Sequence, residues 1–194
     1  MTLPAPYSPL VAGGEGLGNY PGAALAGRAD MLSVLDYRQE NGRIEAPPVL
    51  HQGTYNAGPV SAAAGIATLR QIRDRDVVER ANRTAAAIRD ELNAAIERRG
   101  LGWCAYGLFS DFHIYCGVAS PEDIYAGKVP WRQLKGSIRP ELVHKIRTGM
   151  LLHGVDIIGW PGGVVSAAHT EEDVRRTAAA FEATLAMLQA EGEV

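Results

Sequence analysis

The sequence predicts an α+β fold, and three observations carry that prediction. Long segments repeat apolar residues at the helical period. Short runs rich in aromatic and β-favouring residues lie between them. The leading residues are rich in Gly and Pro and show no sustained period.

Residues 1–22 therefore read as coil, with room for a short strand at 9–12. A short helix fits 27–35, and 38–58 reads as loop, broken by Asn41-Gly42 and Pro47-Pro48. Pro59 suits the first turn of a helix, where its missing N–H costs nothing, and that helix should run over 59–72. A longer amphipathic helix follows over 76–99. Its apolar positions Val77, Val78, Ala81, Ala85, Ile88, Leu92, Ala95 and Ile96 form one face, and Gly100 and Gly102 end it.

Residues 103–106 and 109–116, interrupted at Gly107, read as two strands, and 117–136 as irregular. Pro140 opens a helix with Leu142, Val143, Ile146, Met150 and Leu151 on one side and Gly154 as its stop. Residues 156–158 and 163–167 read as further short strands. Thr170-Glu171-Glu172-Asp173 approximates a capping box, with Asp at the position Glu or Gln usually holds. It opens a last helix bearing Val174, Ala178, Phe181, Leu185 and Leu188.

Composition bounds the function. A net charge of −3 and acids interleaved with the arginines of 70–80 give no basic stripe for nucleic acid; that pattern is a solvated helix face. Cys104 and Cys116 have no Cys-x-x-Cys spacing, which suits a reducing cytoplasm and two free thiols. The N-terminus has no basic-then-apolar leader pattern, and no apolar run approaches the roughly 18 residues of a membrane span.

Several residues could carry chemistry. Gly53-Thr54 forms a small turn ahead of a helix; such a turn offers backbone N–H groups and a hydroxyl to a phosphate. Gly-Thr pairs are also common in plain turns. Gly13-Gly14-Glu15-Gly16-Leu17-Gly18-Asn19 lacks G-x-G-x-x-G and Lys-Ser/Thr, so it supports neither a dinucleotide site nor a P-loop, and reads as a flexible stretch. The five histidines, His51, His113, His144, His153 and His169, show no helical ligand spacing, so no metal site is expected. Asp111 and His113 would share a strand face near Ser110, but no Gly-x-Ser-x-Gly elbow supports a triad.

Longer motifs give this reading a context. His51-Gln52-Gly53-Thr54-Tyr55-Asn56-Ala57-Gly58-Pro59 and the helix after it resemble the phosphate-contacting turn of class III pyridoxal-phosphate-dependent aminotransferases, the glutamate-1-semialdehyde 2,1-aminomutases among them. Val11-Ala12-Gly13-Gly14 and Pro21-Gly22-Ala23-Ala24-Leu25-Ala26-Gly27-Arg28 are similar to the segment that follows the family's cofactor-binding lysine. Ser166-Ala167-Ala168-His169-Thr170-Glu171-Glu172-Asp173 is similar to its C-terminal signature, where His169 would order the turn before the last helix. Two departures accompany the match: about 15–20 is an extra stretch, and Gly58 stands where asparagine is frequent.

The resemblance implies the C-terminal small domain of a fold-type I aminotransferase plus a fragment of the large α/β domain. Residues 1–58 would be the remnant of the large domain, 59–100 connecting helices, and 101–194 the α+β small domain. It implies pyridoxal 5′-phosphate as cofactor, with Gly53 and Thr54 as binding residues, the threonine reaching across a dimer interface to the neighbouring subunit's cofactor. Tyr55, Asn56 and Ser61 would shape that turn. The reaction would move an amino group between an amino acid or amine and a carbonyl compound, by transamination or by the intramolecular exchange of the aminomutases.

A lysine precedes the first glycine pair in the family. Pro9 and Leu10 stand there in this chain, and its only lysines are Lys128, Lys135 and Lys145. Cofactor chemistry of this kind needs a lysine amine, so the chain resembles the part of the enzyme that follows its catalytic residue. Three readings follow: one portion of an aminotransferase that works with a complementary N-terminal half or as a homodimer; a non-enzymatic dimerising or interaction remnant of the family; or a lone enzyme that recruits one of its three lysines. Small amino and keto compounds would be the substrates, with no nucleic acid or membrane partner.

Overall fold

A computed structural model of the chain describes residues 10–17, 20–35, 49, 53, 56, 58–136 and 139–194. The chain divides into two compact units, Met1–Arg75 and Asp76–Val194. The division falls between the two helices that the sequence groups together in 59–100.

The first unit opens with an antiparallel hairpin of β1 (Leu10–Leu17) and β2 (Tyr20–Ala26). Its register runs from Leu10 opposite Ala26 to Leu17 opposite Tyr20, with an irregularity between Gly14 and Leu17. Over 10–17 and 20–22 this corrects the coil reading: the short strand the sequence allows there begins at Leu10 and runs on to Leu17, through part of the glycine-rich stretch. Backbone groups pair across a ladder whatever the side chains are, and Gly and Ala supply no apolar–polar alternation for a strand to be recognised by. Helix α1 (Ala29–Leu32) continues into a 3-10 turn (Ser33–Leu35), as the sequence predicts. Most of the 38–58 loop lies outside the described residues. Helix α2 (Pro59–Asp74) begins at Pro59 as expected and extends to Asp74.

The second unit is a three-stranded antiparallel sheet with its three long helices packed on one face. Helix α3 (Val77–Arg98) buries Ala81, Ala85, Ile88, Leu92, Ala95 and Ile96, while Val78 is exposed. Its end is a Schellman turn: Leu101 N–H donates to Ile96 O and Gly100 N–H to Glu97 O. That turn needs φ of +66° at Gly100, a region costly to other residues. Strands β3 (Cys104–Tyr106), β4 (Asp111–Tyr115) and β5 (Gly162–Val164) form the sheet in the order β3-β4-β5. Ala105, Phe112 and Ile114 point from it into the core, against α3, α6 (Pro140–Leu152) and α7 (Glu171–Ala190).

Strand β3 is an edge, and its outward backbone needs partners. Asn93 of α3 supplies them: its Nδ2 donates to Ala105 O at 2.9 Å and its Oδ1 accepts from Ala105 N–H at 2.8 Å. A polar side chain on an otherwise apolar helix face thus closes the sheet on that side.

Two strand readings change. Residues 156–158 are not a strand; Ile158 N–H reaches back to Gly162 O across a tight connection. Strand β5 covers only Gly162–Val164 of the expected 163–167. Residues 117–136 contain two short helices, α4 (Pro121–Tyr125) and α5 (Trp131–Gly136), where the sequence reads as irregular. Ser120 caps α4 by accepting from Asp123 N–H, and Pro121 occupies its first turn. The box at Thr170 is complete: Asp173 N–H donates to Thr170 Oγ1, and Thr170 N–H to Asp173 Oδ2 at 2.7 Å. Among the described residues no helix is long and apolar enough to cross a membrane.

Candidate functional site

Within the first unit, the geometry at Gly53 is a turn closed by Asn56 N–H donating to Gly53 O at 3.0 Å. Asn56 folds its carboxamide over the glycine. A Cβ at position 53 would stand 2.7 Å from Asn56 Oδ1, a contact that turning the Asn56 side chain would relieve. Thr54, together with Tyr55 and His51, lies outside the described residues. Beyond the turn, Gly58 is the extended N-cap of α2 and contributes no side-chain cap. Pro59 has no N–H, and Ala62 N–H makes the first helical bond, to Gly58 O at 2.9 Å. The amides of Val60 and Ser61 therefore have no acceptor within the helix. They sit at the positive end of a 16-residue helix, where an anion is favoured. A turn closed at Gly53 and a helix start without a side-chain cap from Gly58 suit a phosphate group.

The second unit holds all three lysines. Lys128 Nζ donates to Asp123 at 2.7 Å, and this hydrogen bond raises its pKa. Lys145 Nζ reaches Glu193 at 2.8 Å and Glu191 at 3.0 Å, which raises its pKa as well. Both amines are held as ammonium ions, the wrong state for attack on a carbonyl. Lys135 is exposed on α5 and has no ion-pair partner among the described residues.

Other candidates resolve into structure. His169 accepts Ser166 N–H at 3.1 Å and orders the turn before α7, as the resemblance implies. Asp111 and His113 do share a face, with Nε2 and Oδ2 3.7 Å apart. The Ser110 carbonyl accepts Val165 N–H at 2.7 Å. Cys104 and Cys116 are free thiols, and burial pushes them up to about 11 and about 12. Among the described residues no group of three or more His, Cys, Asp or Glu could hold a metal ion.

The sequence reading passed over Tyr125, whose hydroxyl donates to Gly107 O at 2.7 Å and accepts Gly107 N–H at 2.9 Å, pinning the turn between β3 and β4. It also passed over Trp131 and Trp160, two indoles left 65% and 54% exposed. Neither belongs to a periodic pattern, and only their placement by α5 and the approach to β5 brings them to notice.

Comparison with known proteins places this geometry in a context. No family model matches the chain. The glutamate-1-semialdehyde 2,1-aminomutase of Akkermansia muciniphila is 27% identical over 173 residues, which is 88% of this chain and 37% of that protein. The aminomutase of Methanopyrus kandleri is 34% identical over 143 residues, 71% of this chain and 30% of that protein. Among solved structures, a transaminase with pyridoxal phosphate bound superposes with a TM-score of 0.71 at 26% identity, over 95% of this chain and 39% of that one. The chain thus spans well under half the length of the proteins it matches. These likenesses relate it, at modest identity and over part of their length, to the pyridoxal-phosphate-dependent class III aminotransferases, glutamate-1-semialdehyde aminomutases included.

Proposed function

We propose that this chain is the C-terminal portion of a pyridoxal-phosphate-dependent aminotransferase or aminomutase, supplying a phosphate-contacting Gly-Thr turn and a dimer surface while another stretch of polypeptide supplies the cofactor-binding lysine. The turn at Gly53 carries the reading: it closes on a hydrogen bond from Asn56 N–H and leads to a helix start whose first amides have no acceptor within the helix. Gly53 N–H, Thr54 Oγ1 and the first amides of α2 would hold the phosphate. Pyridoxal phosphate, when bound, supplies the electron sink for moving an amino group between an amino acid or amine and a carbonyl compound. The residues of this chain anchor and orient it; the ion-paired states of Lys128 and Lys145 support a lysine from elsewhere.

A surface for a partner is supported by α2, where Ile66, Leu69 and Ile72 expose 50, 58 and 46% of their area along one side. A second copy or a complementary N-terminal half would cover it.

Co-expression with the segment of the Akkermansia aminomutase that precedes its matched region tests the reading. The expected result is a complex that retains pyridoxal phosphate, with Thr54→Val weakening cofactor binding by about 10- to 100-fold, the cost of one hydrogen bond to a charged group. Thr54→Val and Gly53→Ala complexes that hold the cofactor as tightly as the parent would overturn it, as would the absence of any complex.

A further inference from the structure

The sheet of the second unit has two faces, and only one belongs to the core. Phe112 and Ile114 point into the core, so alternation turns His113 the other way, and its cross-strand partner Tyr106 lies beside it. Their rings stand 5.5 Å apart between centroids, tilted by 37°. Over this pair α5 brings Trp131, Leu134 and Lys135, and the approach to β5 brings Trp160. Together they line a cleft of about 360 Å³, a size that suits a small ligand.

The chemistry of the lining is uneven. Four aromatic rings and a leucine make its walls, and none of the lining residues is a carboxylate. Its charged lining residue is Lys135, while the Asp111 carboxylate stands 3.7 Å from His113 Nε2 at the floor. Lys128 and Lys145 both hold carboxylates, but Lys135 has no partner among the described residues. Arg132 likewise has none there; its guanidinium lies 5.2 Å from the centroid of the Trp131 ring. Two exposed indoles next to two cations that hold no carboxylate among the described residues suit an apolar ring and an anion.

We propose that this cleft binds a small aromatic carboxylate. The ring packs against Trp131, Trp160 and the Tyr106–His113 floor, and the carboxylate meets the Lys135 ammonium at the rim, with Arg132 adding to the positive field. The site belongs entirely to Asp76–Val194 and does not involve the turn at Gly53, so it stands apart from the pyridoxal-phosphate reading.

The test uses the full chain without pyridoxal phosphate. 3-Phenylpropionate is titrated while tryptophan fluorescence is followed under excitation that the phenyl ring does not absorb. The uncharged 3-phenylpropionamide serves as comparator. The expected result is saturable binding of the acid, about tenfold tighter than the amide. Lys135→Met should erase that preference and leave the amide's affinity unchanged. Trp160→Ala should weaken both ligands by about tenfold, the far-UV circular dichroism staying that of the parent. No saturable signal at about 10 mM acid, well above the range of a weak specific site, would overturn the proposal. Equal affinity for acid and amide would overturn it too, since the cleft would then be only apolar. Loss of binding when a complementary aminotransferase half is added would also do so, by showing that the cleft is a protein interface.

Discussion

The same substitution, tyrosine to phenylalanine, should act with opposite signs at two positions in the second unit. Tyr115 is 1% exposed, and its hydroxyl is buried with no hydrogen-bond partner among the described residues. An unpaired buried hydroxyl costs about 1–3 kcal/mol by comparison with mutational data. Tyr115→Phe removes the oxygen and keeps the ring that fills the site, so it should stabilise the fold by about 1 kcal/mol or more. Tyr125 is the reverse case. Its hydroxyl both donates to and accepts from the backbone of Gly107, at 2.7 and 2.9 Å. Tyr125→Phe leaves those groups without their partner and should cost about 1 kcal/mol, moderated by the residue's partial exposure. For a unit of this size 1 kcal/mol corresponds to about 4 °C in Tm. Thermal unfolding followed by circular dichroism should therefore place Tyr115→Phe above the parent and Tyr125→Phe below it. A Tyr115→Phe variant that melts lower would mean its hydroxyl is satisfied, and would refute the reasoning.

Three further outcomes follow from the packing. Asn93→Ala should cost about 2 kcal/mol, because both backbone groups of Ala105 that face Asn93 lose their partner at once; an unchanged urea midpoint would contradict this. Burial alone would raise the Glu182 carboxyl, but hydrogen bonds from Arg99 and Arg98 outweigh it and hold it low. A depressed carboxylate contributes stability that is present above its ordinary value and lost as pH falls through the depressed one. Glu182→Gln should thus cost about 1 kcal/mol at neutral pH, with the gap in Tm to the parent closing below about pH 4; a gap that persists in acid would contradict the assignment. Cys116, pushed up to about 12, should be thiolate in only roughly one molecule in ten thousand at pH 8. Both thiols should then react with a disulfide reagent far faster in guanidinium than in the native protein, and rapid native labelling would count against the buried placement.

The legible and illegible parts of this chain differ for physical reasons. Helices α3, α6 and α7 declare themselves because burial repeats at 3.6 residues, and Pro59 of α2, Pro140 and the Thr170 box mark three helix starts. The hairpin of β1 and β2 does not, because a ladder among Gly and Ala is made by the backbone alone. Helix α4 carried a readable signal in Ser120-Pro121-Glu122-Asp123, obscured by its five-residue length. Residues 156–158 have strand-like side chains, but their backbone turns to meet Gly162 before a ladder can form. At the candidate site, Gly53 is legible as a turn glycine, while the hydrogen bond from Asn56 N–H that closes the turn needs coordinates. Asn93 could not be read at all, since its partner lies 12 residues away across the end of a helix. Nor could the cleft at Trp131 and Trp160, whose walls come from three separate elements.

The central claim is that these residues anchor a cofactor whose lysine lies outside them. The most direct measurement mixes the purified chain with pyridoxal phosphate, reduces it with borohydride and locates any adduct by mass spectrometry. The account predicts no stoichiometric modification of Lys128, Lys135 or Lys145, two of which are ion-paired with carboxylates. A single stoichiometric adduct on one of the three, with the matching visible absorption band before reduction, would show that the chain holds the cofactor by its own lysine and would contradict the account.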